Sequence, residues 1–241
     1  MAIGYCSMVV VFIIIDLMLK SEACMRTIPV TDILQTCLVR STPYGTFSPA
    51  AGNRVPDGGT ATLTCNPYTR LDGTVTTATC SAGVLSSTSG CLPCPDDTWV
   101  FDGTTNRCFK AFKGPTTLAA CTGNARCADA SAAFGAPLTL AYTFNFQALI
   151  DAGLIGRNAG VGTGIYSVGI NDQISNLNYK FDDGTPVPLS LITPFFVPFN
   201  PQPVDSGEDF VYLNLQFGAF GLDDDVCYPP PDTDAICQLQ L

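Results

Sequence analysis

The sequence predicts an α+β fold for residues 93–241, preceded by a small all-β, disulfide-rich module over residues 24–92. Three observations predict it. Stretches such as GTATLTC (59–65) and TVTTATC (74–80) alternate apolar and polar residues, which is typical of half-buried strands. In the second part, helical patterns precede short apolar runs separated by Gly, Pro, Asn and Asp. The chain also carries 12 cysteines, and so small a first module needs such cross-links because it buries little apolar surface.

The first residues have the pattern of a secretory signal. The apolar run MVVVFIII (8–15) is short for a membrane span, and Ser21 and Ala23 provide the small residues of a cleavage site. We therefore expect residues 1–23 to be a cleaved signal peptide, the mature protein to be secreted, and no membrane insertion after cleavage. A signal anchor is the alternative, because no Lys or Arg precedes the run and Asp16 follows it directly.

The amino-acid composition excludes several classes of catalytic site and binding partner. The chain has no histidine, so Ser-His triads and most catalytic zinc sites are excluded, and we expect no enzymatic activity. Dense cysteines in a secreted chain predict disulfides. The net charge is −10, and from Asp172 onward only Lys180 is basic. This acidity disfavours nucleic acid as a partner; it suits calcium, although solubility alone is a sufficient reason for it.

Local patterns place the elements of the second part. Residues 98–113 predict two strands around the Asp102-Gly103 turn. CADASAAF (127–134) and FNFQALIDAG (144–153) predict helices, and Gly153 is expected to end the second of them.

Two further motifs have ordinary structural explanations. Gly160, Gly162 and Gly164 lack the Lys-Ser/Thr of a phosphate-binding loop and are expected to turn the chain into a strand. The carboxylate pair Asp182-Asp183 is of the type used in glycoside hydrolysis, but we expect both residues in a surface turn.

The cysteines of the first module follow a known spacing. Cys37, Cys65, Cys80 and Cys91 are separated by intervals of 28, 15 and 11, with YGTF (44–47) and GGTATLTC (58–65) between them. The segment resembles a sushi (complement control) module. This resemblance implies the disulfides Cys37–Cys80 and Cys65–Cys91. The family's core tryptophan is absent, so Val84 or Leu85 would fill its space.

Residues from Cys94 to Cys237 resemble a C-type lectin-like domain (two helices, small antiparallel sheets and a long loop region). The landmarks, in order, are CPDDTWVFDGTTNRC (94–108), GAPL (135–138), YSVGIND (166–172), YKFDDG (179–184), QPVDSGEDF (202–210) and LDDDVC (222–227). The resemblance implies the disulfides Cys94–Cys108 and Cys127 (or Cys121) with Cys237. It also implies that Trp99, the single tryptophan, packs in the core.

The same resemblance implies a calcium site whose ligands also contact a sugar. The implied oxygen donors are Gln202, Asp205, Glu208, Asp223 and Asp224. Two departures weaken this site: Val204 stands where the family has a ligand, and Phe210 stands where it has a cysteine that pairs with Cys227.

The expected function is therefore extracellular recognition by a carbohydrate-binding, lectin-like protein, with Ca²⁺ as the candidate cofactor. The alternative is a calcium-independent lectin-like domain that binds a protein partner or has a structural role. The expected partner is a glycan or an extracellular protein.

Overall fold

The computed structural model describes residues 36–114, 123–162, 164–172, 178–197, 210–216, 220–225 and 234–241. The predicted signal peptide (1–23) lies outside these ranges. The strands of the described part are β1 (Thr36–Leu38), β2 (Gly45–Ser48), β3 (Arg54–Pro56), β4 (Thr60–Cys65), β5 (Arg70–Asp72), β6 (Thr77–Ser81), β7 (Val84–Leu85), β8 (Gly90–Leu92), β9 (Val100–Asp102), β10 (Arg107–Phe112), β11 (Thr139–Leu140), β12 (Ile165–Asn171), β13 (Lys180–Phe181), β14 (Phe210–Asn214), β15 (Gly221–Asp225) and β16 (Asp234–Gln240).

Helices are fewer than strands in the described residues, and both are present, so the α+β class predicted from the sequence holds at this level. They are α1 (Ala128–Phe134), α2 (Phe146–Asn158) and α3 (Leu189–Ile192), with 3-10 turns at Gly123–Cys127 and Thr193–Phe195. None of the helices in these ranges has the length and apolar character needed to cross a bilayer.

The chain divides into two compact units. The smaller contains the described residues up to Thr42 together with Thr46–Thr64 and Gly73–Ser89. The larger contains Pro43–Gly45, Cys65–Asp72 and Gly90–Leu241.

The regular elements in the described residues of the smaller unit are all strands. β1 pairs with β3, and a second sheet has the order β2-β4-β6-β7. Every second residue of β4 and β6 is buried, as the alternation predicts. The Cys37–Cys80 disulfide lies in the core of this unit, with Val39, Val55 and Ala61. Of the two candidates for filling the core, Leu85 packs against it, whereas Val84 is 69% exposed.

The larger unit is organised around one mixed sheet of eight strands. The order is β15-β14-β12-β16-β10-β9, with β11 paired to β16 and β13 paired to β12. All of the pairs are antiparallel except β12 with β16, which is parallel. A separate antiparallel pair, β5 with β8, belongs to the same unit and contains Cys91 of the Cys65–Cys91 disulfide.

Both faces of the central strand β16 are covered. Ile236 faces a large apolar cluster that includes Leu149 of α2, whereas Ala235 and Leu239 face a second cluster that includes Trp99. Because neighbouring residues of a strand point to opposite faces, β16 is buried on both sides along most of its length. Trp99 is 6% exposed, which confirms its predicted place in the core.

Helix α2 is longer than the sequence predicts. The expectation that Gly153 ends it is wrong, because the helix continues to Asn158. Gly153 lets the helix pack closely against Leu213 of β14, because a β-carbon at this position would lie 2.5 Å from Cδ2 of Leu213. Gly156 has the same role against Ala111. The turn that follows does match expectation, since Gly160, Gly162 and Gly164 all have positive φ and lead into β12.

Four disulfides occur in the described residues: Cys37–Cys80, Cys65–Cys91, Cys94–Cys108 and Cys127–Cys237. They join the same pairs that the two resemblances imply, with Cys127 and not Cys121 as the partner of Cys237. Cys121 and Cys227 lie outside the described residues.

Candidate functional site

The candidate site lies at the edge of the large sheet, where β15 pairs with β14. In the register, Leu213 lies opposite Leu222, Tyr212 opposite Asp223, and Val211 opposite Asp224. The predicted calcium ligands Asp223 and Asp224 are thus both in β15. The other three, Gln202, Asp205 and Glu208, lie outside the described residues.

The chain on either side of residues 198–209 is attached to this edge. Before them, the backbone N–H of Val197 donates a 2.8 Å hydrogen bond to the carbonyl of Leu222. After them, Phe210 lies opposite Asp225 in the β14–β15 pair. The stretch that holds three of the five predicted ligands therefore starts and finishes beside the strand that holds the other two.

Close approach of the chain to β15 requires Gly221. A β-carbon at this position would lie 2.6 Å from the carbonyl oxygen of Phe195 and 3.1 Å from the nitrogen of Val197. Only glycine lets the two backbones meet this closely. The sequence gives no signal for this, since Gly221 looks like an ordinary loop glycine.

Asp224 is turned into the protein. It is 1% exposed and lies on the same face of β15 as Leu222, which belongs to the large apolar cluster. The hydroxyl of Tyr179 donates a 2.7 Å hydrogen bond to Oδ2 of Asp224. Tyr179 is itself 1% exposed and contacts the ring of Phe196. A buried carboxylate must be hydrogen-bonded, because burying the charge alone is costly.

Asp223 lies on the opposite face of the strand. Its Oδ2 accepts a 3.2 Å hydrogen bond from Nδ2 of Asn214, the residue at the end of β14. Since successive residues of a strand alternate, the structure directs the carboxylates of Asp223 and Asp224 to different faces. Throughout the described ranges, no three Asp, Glu, Cys or His side chains are grouped as metal ligands.

Neither a protein-family model nor a curated protein sequence matches this chain. Its function must be inferred from its own residues.

A second acidic group lies in the turn that follows β13. Asp182 and Asp183 are exposed there, as the sequence predicts. Although Asp182 is exposed as a residue, nearby protein atoms partly desolvate its carboxyl group and raise its pKa. A 3.0 Å hydrogen bond from Asn171 opposes this rise, and the charge of Asp183 adds to it. Hydrogen bonds from Thr185 outweigh burial at Asp183 and lower its pKa.

Sequence reasoning missed the hydrogen-bonding role of Tyr179. In the sequence, Tyr179 is part of the YKFDDG landmark (179–184), and nothing there marks its hydroxyl as a hydrogen-bond donor. Its partner Asp224 is 45 residues away in the chain, so no local pattern could pair them.

Arg126 was missed as well. It is 1% exposed in the 3-10 turn beside the Cys127–Cys237 disulfide, and burial lowers its pKa while the nearby Tyr212 opposes this.

Proposed function

We propose that this chain is a secreted, non-enzymatic recognition protein with a sushi-like module at residues 24–92 and a C-type lectin-like domain at residues 93–241. The four disulfides support secretion, because such bonds persist in oxidising compartments. The lectin-like assignment is supported by β10, which pairs with both the short strand β9 and the last strand β16. Cys94–Cys108 ties the start of this domain to β10, and Cys127–Cys237 ties the 3-10 turn before α1 to β16 of the same sheet.

The observation that carries the proposed function is the anchoring of residues 198–209 at both ends on the β14–β15 edge. A stretch whose two flanks are attached to a disulfide-linked sheet is a suitable place for binding residues, since such residues commonly lie on segments held by a rigid scaffold. We propose that residues 198–209, together with Asp223, contact the ligand, which is a glycan or an extracellular protein.

The environment of Asp224 favours the calcium-independent form of this function. In a sugar-binding site of the lectin type, Asp224 would offer its carboxylate to Ca²⁺, which needs six to eight oxygen ligands. Here Oδ2 accepts a hydrogen bond from Tyr179 inside the apolar cluster, and Asp223 faces the other way. Binding of a protein partner without calcium requires no rearrangement of this pair.

Thermal unfolding distinguishes the two forms. The oxidised protein is heated with millimolar calcium and with a chelator. A ligand that binds only the folded state raises the unfolding midpoint. An unchanged midpoint supports the calcium-independent function, whereas a rise that Glu208→Ala abolishes and Asp129→Asn leaves intact establishes the calcium site. Asp129 is an exposed carboxylate on α1, and so it controls for loss of charge alone.

Binding to a glycan panel and to extracellular proteins then identifies the ligand class. Gly221→Val should abolish binding of either ligand class. The valine side chain cannot fit against Phe195, so the chain before residue 198 can no longer attach to β15. Retained binding by a folded Gly221→Val variant would refute the proposed role of residues 198–209.

A further inference from the structure

Three aromatic rings form a cluster in which Phe181 is stacked on Tyr142 and meets Phe144 edge-on. The ring of Phe181 contacts that of Tyr142 at a centroid distance of 5.0 Å and that of Phe144 at 4.9 Å. Phe181 is 4% exposed, whereas Phe144 is 49% exposed. The buried ring thus supports an outer ring that faces solvent. A single exposed phenylalanine is common on protein surfaces, so its surroundings decide its significance.

One ring of this aromatic cluster, that of Tyr142, already contacts a cation of the protein itself. The guanidinium of Arg107 lies 4.5 Å from the centroid of the Tyr142 ring. Burial alone would raise the pKa of Asp183. Hydrogen bonds, including one from Tyr142, and the positive charge of Arg107 outweigh burial and lower this pKa. This arrangement, an aromatic face with a carboxylate beside it, is the kind that binds a guanidinium or ammonium group.

Among the described residues, no Lys or Arg forms an ion pair with the other carboxylate, Asp182. It accepts a hydrogen bond from Asn171, and its neighbour Asp183 carries a charge of the same sign. Asp182 and the ring of Tyr142 both lie close to Gly169. A β-carbon at Gly169 would lie 3.3 Å from Oδ2 of Asp182 and 3.2 Å from Cδ1 of Tyr142. The carboxylate therefore borders the rings.

The outer ring is also without a cation. In the described part of the chain, Lys110 and Arg157 lie over other rings, and no Lys or Arg lies over Phe144. The surface around these rings thus contains the carboxylates of Asp182 and Asp183, the cation of Arg107 and the exposed ring of Phe144. The charge that complements it is positive.

We propose that the surface formed by Tyr142, Phe144, Asn171, Asp182 and Asp183, here called the Phe144 face, binds an arginine or lysine side chain of a basic protein segment. The cation lies against the ring of Phe144 and pairs with Asp182, as Arg107 lies against Tyr142 near Asp183. The net charge of −10 adds a long-range attraction for a basic partner. This site goes beyond the proposed function, because none of its residues belongs to the β14–β15 edge.

Fluorescence anisotropy with a labelled arginine–glycine peptide tests the proposal on the oxidised full chain. The matched probe replaces each arginine by citrulline, which has nearly the same shape without the charge. We expect the arginine peptide to bind, the citrulline peptide to bind at least about tenfold more weakly, and added salt to weaken the arginine peptide.

Two variants locate the binding. Phe144→Ala and Asp182→Asn should each weaken the arginine peptide by about threefold, the size expected for an exposed cation–π contact or ion pair. The matched controls are Phe220→Ala, a phenylalanine of similar exposure (46%), and Asp129→Asn; both should bind as the parent does. Unchanged thermal unfolding midpoints show that the variants are folded.

Absence of binding by the arginine peptide overturns the proposal, as does equal binding to the parent, Phe144→Ala and Asp182→Asn. Displacement of the peptide by a neutral oligosaccharide also overturns it, because the Phe144 face would then be a sugar site. The calcium and glycan tests of residues 198–209 are independent of these outcomes.

Discussion

The hydroxyl of Thr143 donates a 2.7 Å hydrogen bond to Oδ2 of Asp102, and both residues are buried. Asp102 ends β9, and Thr143 precedes α2, so this bond ties the first hairpin of the larger unit to its main helix. Asp102 also accepts hydrogen bonds from the hydroxyls of Thr104 and Thr105 and from the amide of Asn145. The carboxylate is the centre of a small buried network.

This network predicts a loss of stability in acid. Burial alone would raise the pKa of Asp102, but hydrogen bonds from Thr143, Thr104 and Thr105 outweigh it and lower the pKa from 3.8 to about 2. A folded-state pKa below the unfolded value stabilises the protein above about pH 4, and this contribution is lost as the pH falls through about 2. Its size is about 2 kcal/mol.

Urea denaturation followed by Trp99 fluorescence measures this effect at several pH values. Asp102→Asn should remove about 2 kcal/mol of the decrease in the free energy of unfolding between about pH 5 and pH 2. Asp129→Asn, an exposed control on α1, should keep the pH dependence of the parent. An Asp102→Asn variant with the parent's full acid sensitivity would contradict the assignment.

Features set by neighbours in the sequence were predictable. The alternation in β4 and β6 gives the strands of the smaller unit directly, and the three glycines at 160, 162 and 164 give the turn into β12. Thr104 and Thr105 are close enough to Asp102 that a local turn could be expected there.

Features set by contacts between distant residues were not predictable. Thr143 reaches Asp102 from 41 residues away, and the parallel pairing of β12 with β16 joins strands far apart in the chain. The predicted end of α2 at Gly153 failed for the same reason, since the need for a small residue there comes from Leu213. At the candidate site, the two adjacent carboxylates Asp223 and Asp224 could be identified from the sequence, but the strand alternation that separates them could not.

The tight packing of α2 on the sheet predicts an unusual response to alanine. In an exposed helix, Gly→Ala stabilises by about 1 kcal/mol. At Gly156 the new β-carbon would lie 2.3 Å from Cβ of Ala111, and overpacking of this kind costs about 1–3 kcal/mol. We expect Gly156→Ala to lower the free energy of unfolding.

Urea denaturation provides the measurement, with Asn158→Ala in the exposed last turn of the same helix as the control. Asn158→Ala should be neutral or stabilising. A Gly156→Ala protein as stable as the parent would show that the helix can shift away from Ala111.

Two disulfides of the larger unit should contribute unequally to stability. Cys127–Cys237 spans a sequence separation of 110, and Cys94–Cys108 spans 14. A longer closed loop restricts the unfolded chain more, which gives about 4–5 kcal/mol for the first bond and about 3 kcal/mol for the second.

Thermal unfolding by circular dichroism compares the double variants Cys127→Ala/Cys237→Ala and Cys94→Ala/Cys108→Ala. All four cysteines are almost fully buried, so the loss of packing is similar in the two cases. The first variant should unfold at the lower temperature; the reverse order would indicate that local packing around the hairpin dominates.

The hydrogen bond between Tyr179 and Asp224 should stabilise the protein, whether or not residues 198–209 bind calcium. Tyr179→Phe removes one buried donor to Asp224, and we expect a loss of about 1–3 kcal/mol in the free energy of unfolding. Tyr68→Phe is the control, because Tyr68 is 40% exposed. A double-mutant cycle with Asp224→Ala isolates the interaction, since residues in direct contact are not additive. If the cycle gives no coupling, the hydroxyl of Tyr179 does not stabilise the carboxylate of Asp224.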